Sequence, residues 1–248
     1  MFHMIGTGTA RHIGASTVSL IVGLMTLLLL GLAGSAAGCG GNGEAVDAQA
    51  VLRDTSANMK AIEGFRFEYT VEQPEQAEPP QGLSIRGISG EVSADGAMRA
   101  VVKVSQSGIL LELEFVAVGD THYLQDPLSK KWQSIAASMS PVGPLNLNTG
   151  TIQIIDQITE AVYVGRENIG GVSTYRIKGV VTADELAAIS GAVTVAGTFP
   201  CELWIGVDDR LLRKVTVAGP AQIEEPPSIS RTIVLSELDT TFDISAPE

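Results

Sequence analysis

From Phe65 to Glu72 the chain reads FRFEYTVE, and this alternation limits the fold more than any other feature. In an extended strand Phe65, Phe67, Tyr69 and Val71 point one way, while Arg66, Glu68, Thr70 and Glu72 point the other. The period returns downstream. Ala100, Val102 and Val104 oppose Arg99 and Lys103, and Leu111, Leu113 and Phe115 oppose Glu112 and Glu114. Turn signals at Asp95-Gly96, Ser107-Gly108 and Gly119-Asp120 recur about every twelve residues, as long strands joined by tight turns require. The pattern predicts an antiparallel meander with one apolar and one wet face.

The other elements fit around that meander. DAQAVLRDTSANMKAIEG reads as a helix capped by Asp47 and ended by Gly64, with Leu52, Thr55, Met59 and Ile62 on one face. The Pro- and Gly-rich stretch from Ser134 reads as a loop, with a short helix over Thr151 to Thr159. AVYVGRENIG and VSTYRIKGVVT read as a hairpin, and TADELAAIS as a helix whose Thr182 and Glu185 have capping-box spacing. The last strands lie near AGTFPCELWIGVDD, RLLRKVTVAG and SISRTIVLSELD. The order is a helix, about six strands, a loop with short helices, then about five more strands, in a single domain over residues 47–248. About eleven strands and only a few short helices predict an α+β fold in which a curled sheet wraps the helices. The enclosed apolar space is either packed shut or holds an apolar ligand.

Ahead of the domain, Val18 to Gly34 is an apolar run barely long enough to cross a ~30 Å hydrocarbon core at ~1.5 Å per residue. A membrane span is therefore marginal. Arg11 precedes the run and small residues follow it, which is the layout of a secretory signal. The ending Ala36-Ala37-Gly38-Cys39 looks like the lipobox of bacterial lipoproteins, with Ala36 where leucine is usual. On that reading residues 1–38 are a signal peptide and Cys39 carries the lipid. Residues 39–46 then form a flexible tether to the membrane, spanning at most ~25 Å at ~3.5 Å per residue.

Removing residues 1–38 takes one of 16 basic residues and none of 28 acidic ones, leaving a net charge of −13. That surface repels nucleic acid and anionic headgroups, so membrane contact falls to the anchor and to apolar surface. With Cys39 acylated, Cys201 has no disulfide partner and reads as a small buried hydrophobe. His122 is the domain's one histidine, too few for a histidine-rich metal site, and reads as a surface strand residue. No catalytic constellation, metal site or cofactor motif stands out, and no enzymatic activity is expected.

The blocks LEFVAVGDTHYLQDPLSKKWQSI, VYVGRENIGGVSTYRIKGVVTADELAAI and LWIGVDDRLLRKVTVAGP, in that order and spacing, resemble the LppX/LprG family of bacterial envelope lipoproteins. The resemblance implies a LolA/LolB-like half-barrel: a strongly curved antiparallel sheet enclosing a few helices and an apolar cavity for acyl chains of a lipid or glycolipid. Strand parity and the family's cavity walls together single out Phe67, Tyr69, Val102, Val104, Leu113, Phe115, Tyr175, Ile177, Leu203 and Ile205 as lining; each reads equally as ordinary core. Met139, Val142, Leu145 and Leu147 are expected at the cavity mouth. Arg213 shares the inward parity of Leu211 and Val215, and sits at the rim or is turned outward by a bulge. The expected function is a monomeric carrier, anchored on the extracytoplasmic side of the cell membrane, that binds and transfers lipid across the envelope, with an envelope transporter as possible partner. The alternative is an interaction or stress-sensing module of the same fold.

Overall fold

The hydrophobic period changes from helical to alternating near residue 64. The computed structural model, which describes residues 46–73, 83–106, 109–137, 140, 152, 154–190 and 193–248, changes element there. Helix α1 is Ala48–Met59. The Asp47 side chain caps it, accepting from the Ala50 backbone N–H at 3.1 Å. Val51, Leu52, Thr55, Ser56 and Met59 form its buried stripe, and Ile62 packs partly against the same core. Gly64 does not end this helix, contrary to the sequence expectation. Lys60 is the C-cap, and Gly64 opens the first strand, where a Cβ would come within 2.6 Å of the Val92 and Thr240 carbonyl oxygens. Close approach of two chain segments, rather than a turn, demands glycine there.

Six strands follow: β1 Gly64–Glu72, β2 Leu83–Ser93, β3 Met98–Gln106, β4 Ile109–Val118, β5 Thr121–Gln125 and β6 Trp132–Ala136. Five more come after the connecting segment: β7 Thr159–Ile169, β8 Val172–Thr182, β9 Thr198–Gly206, β10 Leu212–Ala218 and β11 Ser230–Ser236. Helix α2, Ala183–Ser190, sits between β8 and β9. The Thr182 N–H donates to Glu185 Oε2 at 2.7 Å, half of the expected capping box.

All eleven strands form one open, curved antiparallel sheet in the order β6-β5-β4-β3-β2-β1-β11-β10-β9-β8-β7. Each meander runs in sequence order, and the two are joined by the first strand pairing with the last, Tyr69 opposite Ile233. The upper rim, as we call it, holds the ends of β1, β3, β5, β8 and β10 and the starts of the other strands. Helix α1 starts at that rim, where Gln49 Nε2 donates to the carbonyl of Ile158 just before β7. It ends at the lower rim, where Asn58 Nδ2 donates to the Asp209 carbonyl at 2.8 Å. Ile152, Ile154, Ile155 and Ile158 of the connecting segment are buried in the same core, with helical backbone at 154–157.

A bulge decides the position of Arg213. The β9–β10 register shifts between Leu212 and Lys214, so Leu212 instead of Leu211 takes the fully buried position. Arg213 falls at the bulge and pairs with Asp209 in the β9–β10 turn at the lower rim, but its side chain is only 13% exposed, so the bulge does not turn it outward.

Candidate functional site

The registers align inward-facing side chains into rows that cross the meander boundary. One row runs Leu113, Val102, Ile88, Tyr69, Ile233, Val215, Leu203, Ile177 and Tyr163, from β4 to β7. Below it Phe115 lies opposite Ala100, Ala100 opposite Gly90, and Gly90 opposite Phe67. At Gly90 a Cβ would fall 2.2 Å from the Arg99 carbonyl oxygen, so only glycine fits where the strands bend together. On the far side Tyr175 pairs with Ile205, and its ring meets Tyr163 edge-on at 5.9 Å.

Of the ten residues that the sequence suggested as lining, Phe67, Tyr69, Val102, Val104, Phe115, Tyr175, Ile177, Leu203 and Ile205 are buried and Leu113 is half-buried. All ten belong to one apolar cluster or pack against it, together with α1, α2 and the isoleucines of the connecting segment. The arrangement offers continuous apolar contact. Among the described residues no three His, Cys, Asp or Glu side chains converge as a metal site would need. Cys201 is free and buried, and desolvation pushes its thiol up to about 12, which leaves no reactive thiolate at neutral pH. Cys39, Met139, Val142, Leu145 and Leu147 lie outside the described residues.

Polar side chains enter the apolar face at two places that the sequence reading missed. His122 is not at the surface. Its register partner is Ala117 on the inward side, it is only 8% exposed, and its ring stands edge-on to Phe115 at 5.1 Å. Nδ1 has no hydrogen-bond partner, and desolvation lowers the imidazole pKa. Five residues is too short a strand for alternation to show its parity; pairing with β4 sets it.

The second place is Arg231, buried in the inward row of β11 with Ile233 and Leu235. Nη1 donates to the Gly219 carbonyl at 3.0 Å, and Nη2 reaches both oxygens of Glu225, Oε2 at 2.6 Å. Glu225 also accepts from the backbone N–H groups of Ala221 and Gln222 at 2.7 and 3.1 Å, closing the β10–β11 loop over the guanidinium. Tyr69 lies beside this pair; burial pushes its phenol up to about 12 while Arg231 opposes the shift. A signal for Arg231 was present in SRTIVLS, where it shares parity with Ile233 and Leu235.

The opposite face is wet and charged. A groove of about 590 Å³ there is lined by Arg66, Glu68, Glu91, Arg99 and Glu114 among others. Glu91 bridges Arg99 at 3.1 Å and Arg66 at 3.5 Å, and the Arg99 guanidinium donates to the Asp243 carbonyl of the C-terminal segment. These are exposed pairs, each worth little in stability.

Comparison with known proteins agrees with this geometry. The chain is 27% identical over 226 residues to the lipoarabinomannan carrier protein LprG of Mycolicibacterium smegmatis, covering 85% of this chain and 89% of that one. It is 24% identical over 199 residues to the protein of the same name from Mycobacterium tuberculosis, covering 79% and 81%. Among solved structures, LprF from Mycobacterium bovis superposes with a TM-score of 0.63 at 18% identity, over 81% of this chain and 96% of that one. LppX from Mycobacterium tuberculosis gives 0.55 at 18% identity, over 80% and 98%. A family model described as LppX_LprAFG lipoprotein matches residues 47–241, which takes in every described helix and strand: the chain belongs to this lipoprotein family.

Proposed function

We propose that the protein carries an acyl lipid or glycolipid across the cell envelope, with the acyl chains held against the inner face of the sheet. The observation that bears most weight is the apolar row from Leu113 to Tyr163, unbroken over nine strands. The carrier names of the LprG relatives point the same way. On this reading Phe67, Tyr69, Val102, Val104, Leu113, Phe115, Tyr175, Ile177, Leu203 and Ile205 line the lipid, and Met139, Val142, Leu145 and Leu147 stand at its entrance. Cys39, acylated, holds the domain to the extracytoplasmic side of the cell membrane, where an envelope transporter supplies or receives the lipid. The mechanism is carriage without chemistry. Burying a sixteen-carbon chain is worth roughly 13 kcal/mol against water at ~0.8 kcal/mol per methylene, and the bilayer offers nearly as much. The carrier therefore matches the bilayer: it keeps its lipid where no membrane competes and exchanges it where one does.

Native mass spectrometry of protein purified from its own host, followed by organic extraction, tests the reading. A bound lipid of defined mass, lost on denaturation, is the expected result. Val102→Trp and Phe115→Trp should each lower that occupancy several-fold while the far-ultraviolet circular dichroism stays unchanged. A clean apo mass, with no uptake from vesicles, favours the interaction module with a closed core.

A further inference from the structure

Strand β4 starts at the upper rim with three consecutive apolar residues, Ile109, Leu110 and Leu111, which are 64%, 71% and 36% exposed. Alternation fails here. Ile109 and Leu111 carry the inward parity of Leu113, and Leu110 the outward parity of Glu112, so both faces of the strand are greasy. Strand β4 pairs with β5 only from Phe115 to Val118. Among the described residues, 109 to 114 therefore have β3 on one side and no strand on the other, an arrangement that soluble proteins usually blunt with charge or proline. Ile223, 77% exposed in the β10–β11 loop, stands on the same rim. Its loop is held by the Glu225–Arg231 pair, so the side chain is presented by a braced segment.

The chain enters the domain at this rim too. Val46 precedes α1, whose first turn is fixed beside Ile158 and the start of β7 by Gln49. Only residues 40–46 separate that entry point from Cys39, at most ~25 Å of extended chain. A short leash at the greasy rim turns that rim, not the opposite one, toward the surface to which the N-terminal segment is attached. We infer that the upper rim is a membrane-docking surface: Ile109, Leu110 and Ile223 insert among the lipids of the bilayer that holds the protein. The rim carries exposed charge of both signs, Glu72 and Glu224 against Lys130 and Lys131 of the β5–β6 turn, so no single-sign attraction to anionic lipid is built in, and the occupant is the apolar layer of a zwitterionic surface, entered by burial of side chains. This inference rests on the anchoring part of the proposed function and is independent of whether the inner face holds lipid.

The test uses the full chain reconstituted into phosphatidylcholine vesicles, with an environment-sensitive thiol dye placed by Leu110→Cys, Ile223→Cys or, at the lower rim, Asp208→Cys. Buried Cys201 is unreactive in the folded protein, and the parent chain serves as the blank for Cys39. Dye at 110 and 223 should shift to the blue and be quenched several-fold more by spin-labelled lipid than dye at 208. Adding Leu110→Asp to the 223-labelled chain should return its emission toward that of water. Emission at 110 and 223 as aqueous as at 208 overturns the proposal and assigns the rim to a protein partner. Native mass spectrometry of the same preparation reads cargo separately, so a failed docking surface and a failed carrier are distinguishable.

Discussion

The imidazole of His122 is held edge-on to Phe115 with one nitrogen unpaired, and that environment sets a pH dependence with a definite sign. Desolvation lowers its folded-state pKa below the ordinary 6.5, so the unfolded chain takes up the proton first as pH falls. Stability is therefore lost as pH drops through about 6.5, and the loss levels off below the folded-state value. His122 is the domain's sole histidine, and histidine is the side chain whose ordinary pKa falls in this range, so His122→Phe should flatten the change in urea midpoint between pH 7.5 and pH 5.5. An equal change in variant and parent would assign that dependence elsewhere. The residues around His122 leave its direction open, because a five-residue strand is too short for alternation to show its parity and the pairing with β4 sets it. Arg231 is the reverse case: its parity with Ile233 was plain, while its carboxylate partner lies in a loop with no period to read.

That loop joins β10 to β11, and a single carboxylate organises it. Glu225 collects two backbone N–H groups and a guanidinium, so losing it strips the loop and leaves a buried cation unpaired. Glu225→Ala should cost about 3–5 kcal/mol in urea unfolding, and adding Arg231→Leu should recover most of it, because replacing both partners of a buried pair is often neutral. A double variant as unstable as the single one would show that the guanidinium's contact with Gly219 matters more than its charge. Elsewhere the elements were legible wherever local pattern decides them. Alternation and turn residues yielded six strands and then five, and Asp47 announced α1. Legibility failed where two distant segments meet: Gly64 and Gly90 are explained by backbone from other strands, and the bulge beside Arg213 by its pairing with β9.

Among the described residues, ten antiparallel pairings hold the eleven strands together, and nine of them join neighbours in sequence. The exception is β1 with β11, where the Ser230 hydroxyl meets Glu72 across 158 residues of chain. Closing so long a loop costs entropy before any contact repays it, so each meander should form ahead of the seam. Ile233→Val should therefore mainly speed unfolding, whereas Ile177→Val, inside the second meander, should mainly slow refolding, as stopped-flow chevrons would read. The reverse pattern would place the seam in the folding nucleus. The order of strands was the one large feature that no local pattern disclosed. It has a consequence for biosynthesis: the first strand made stays without its second neighbour until the last strand has left the ribosome. A nascent chain of this protein therefore cannot complete its sheet early: the edge of its first strand stays open for almost the whole of synthesis.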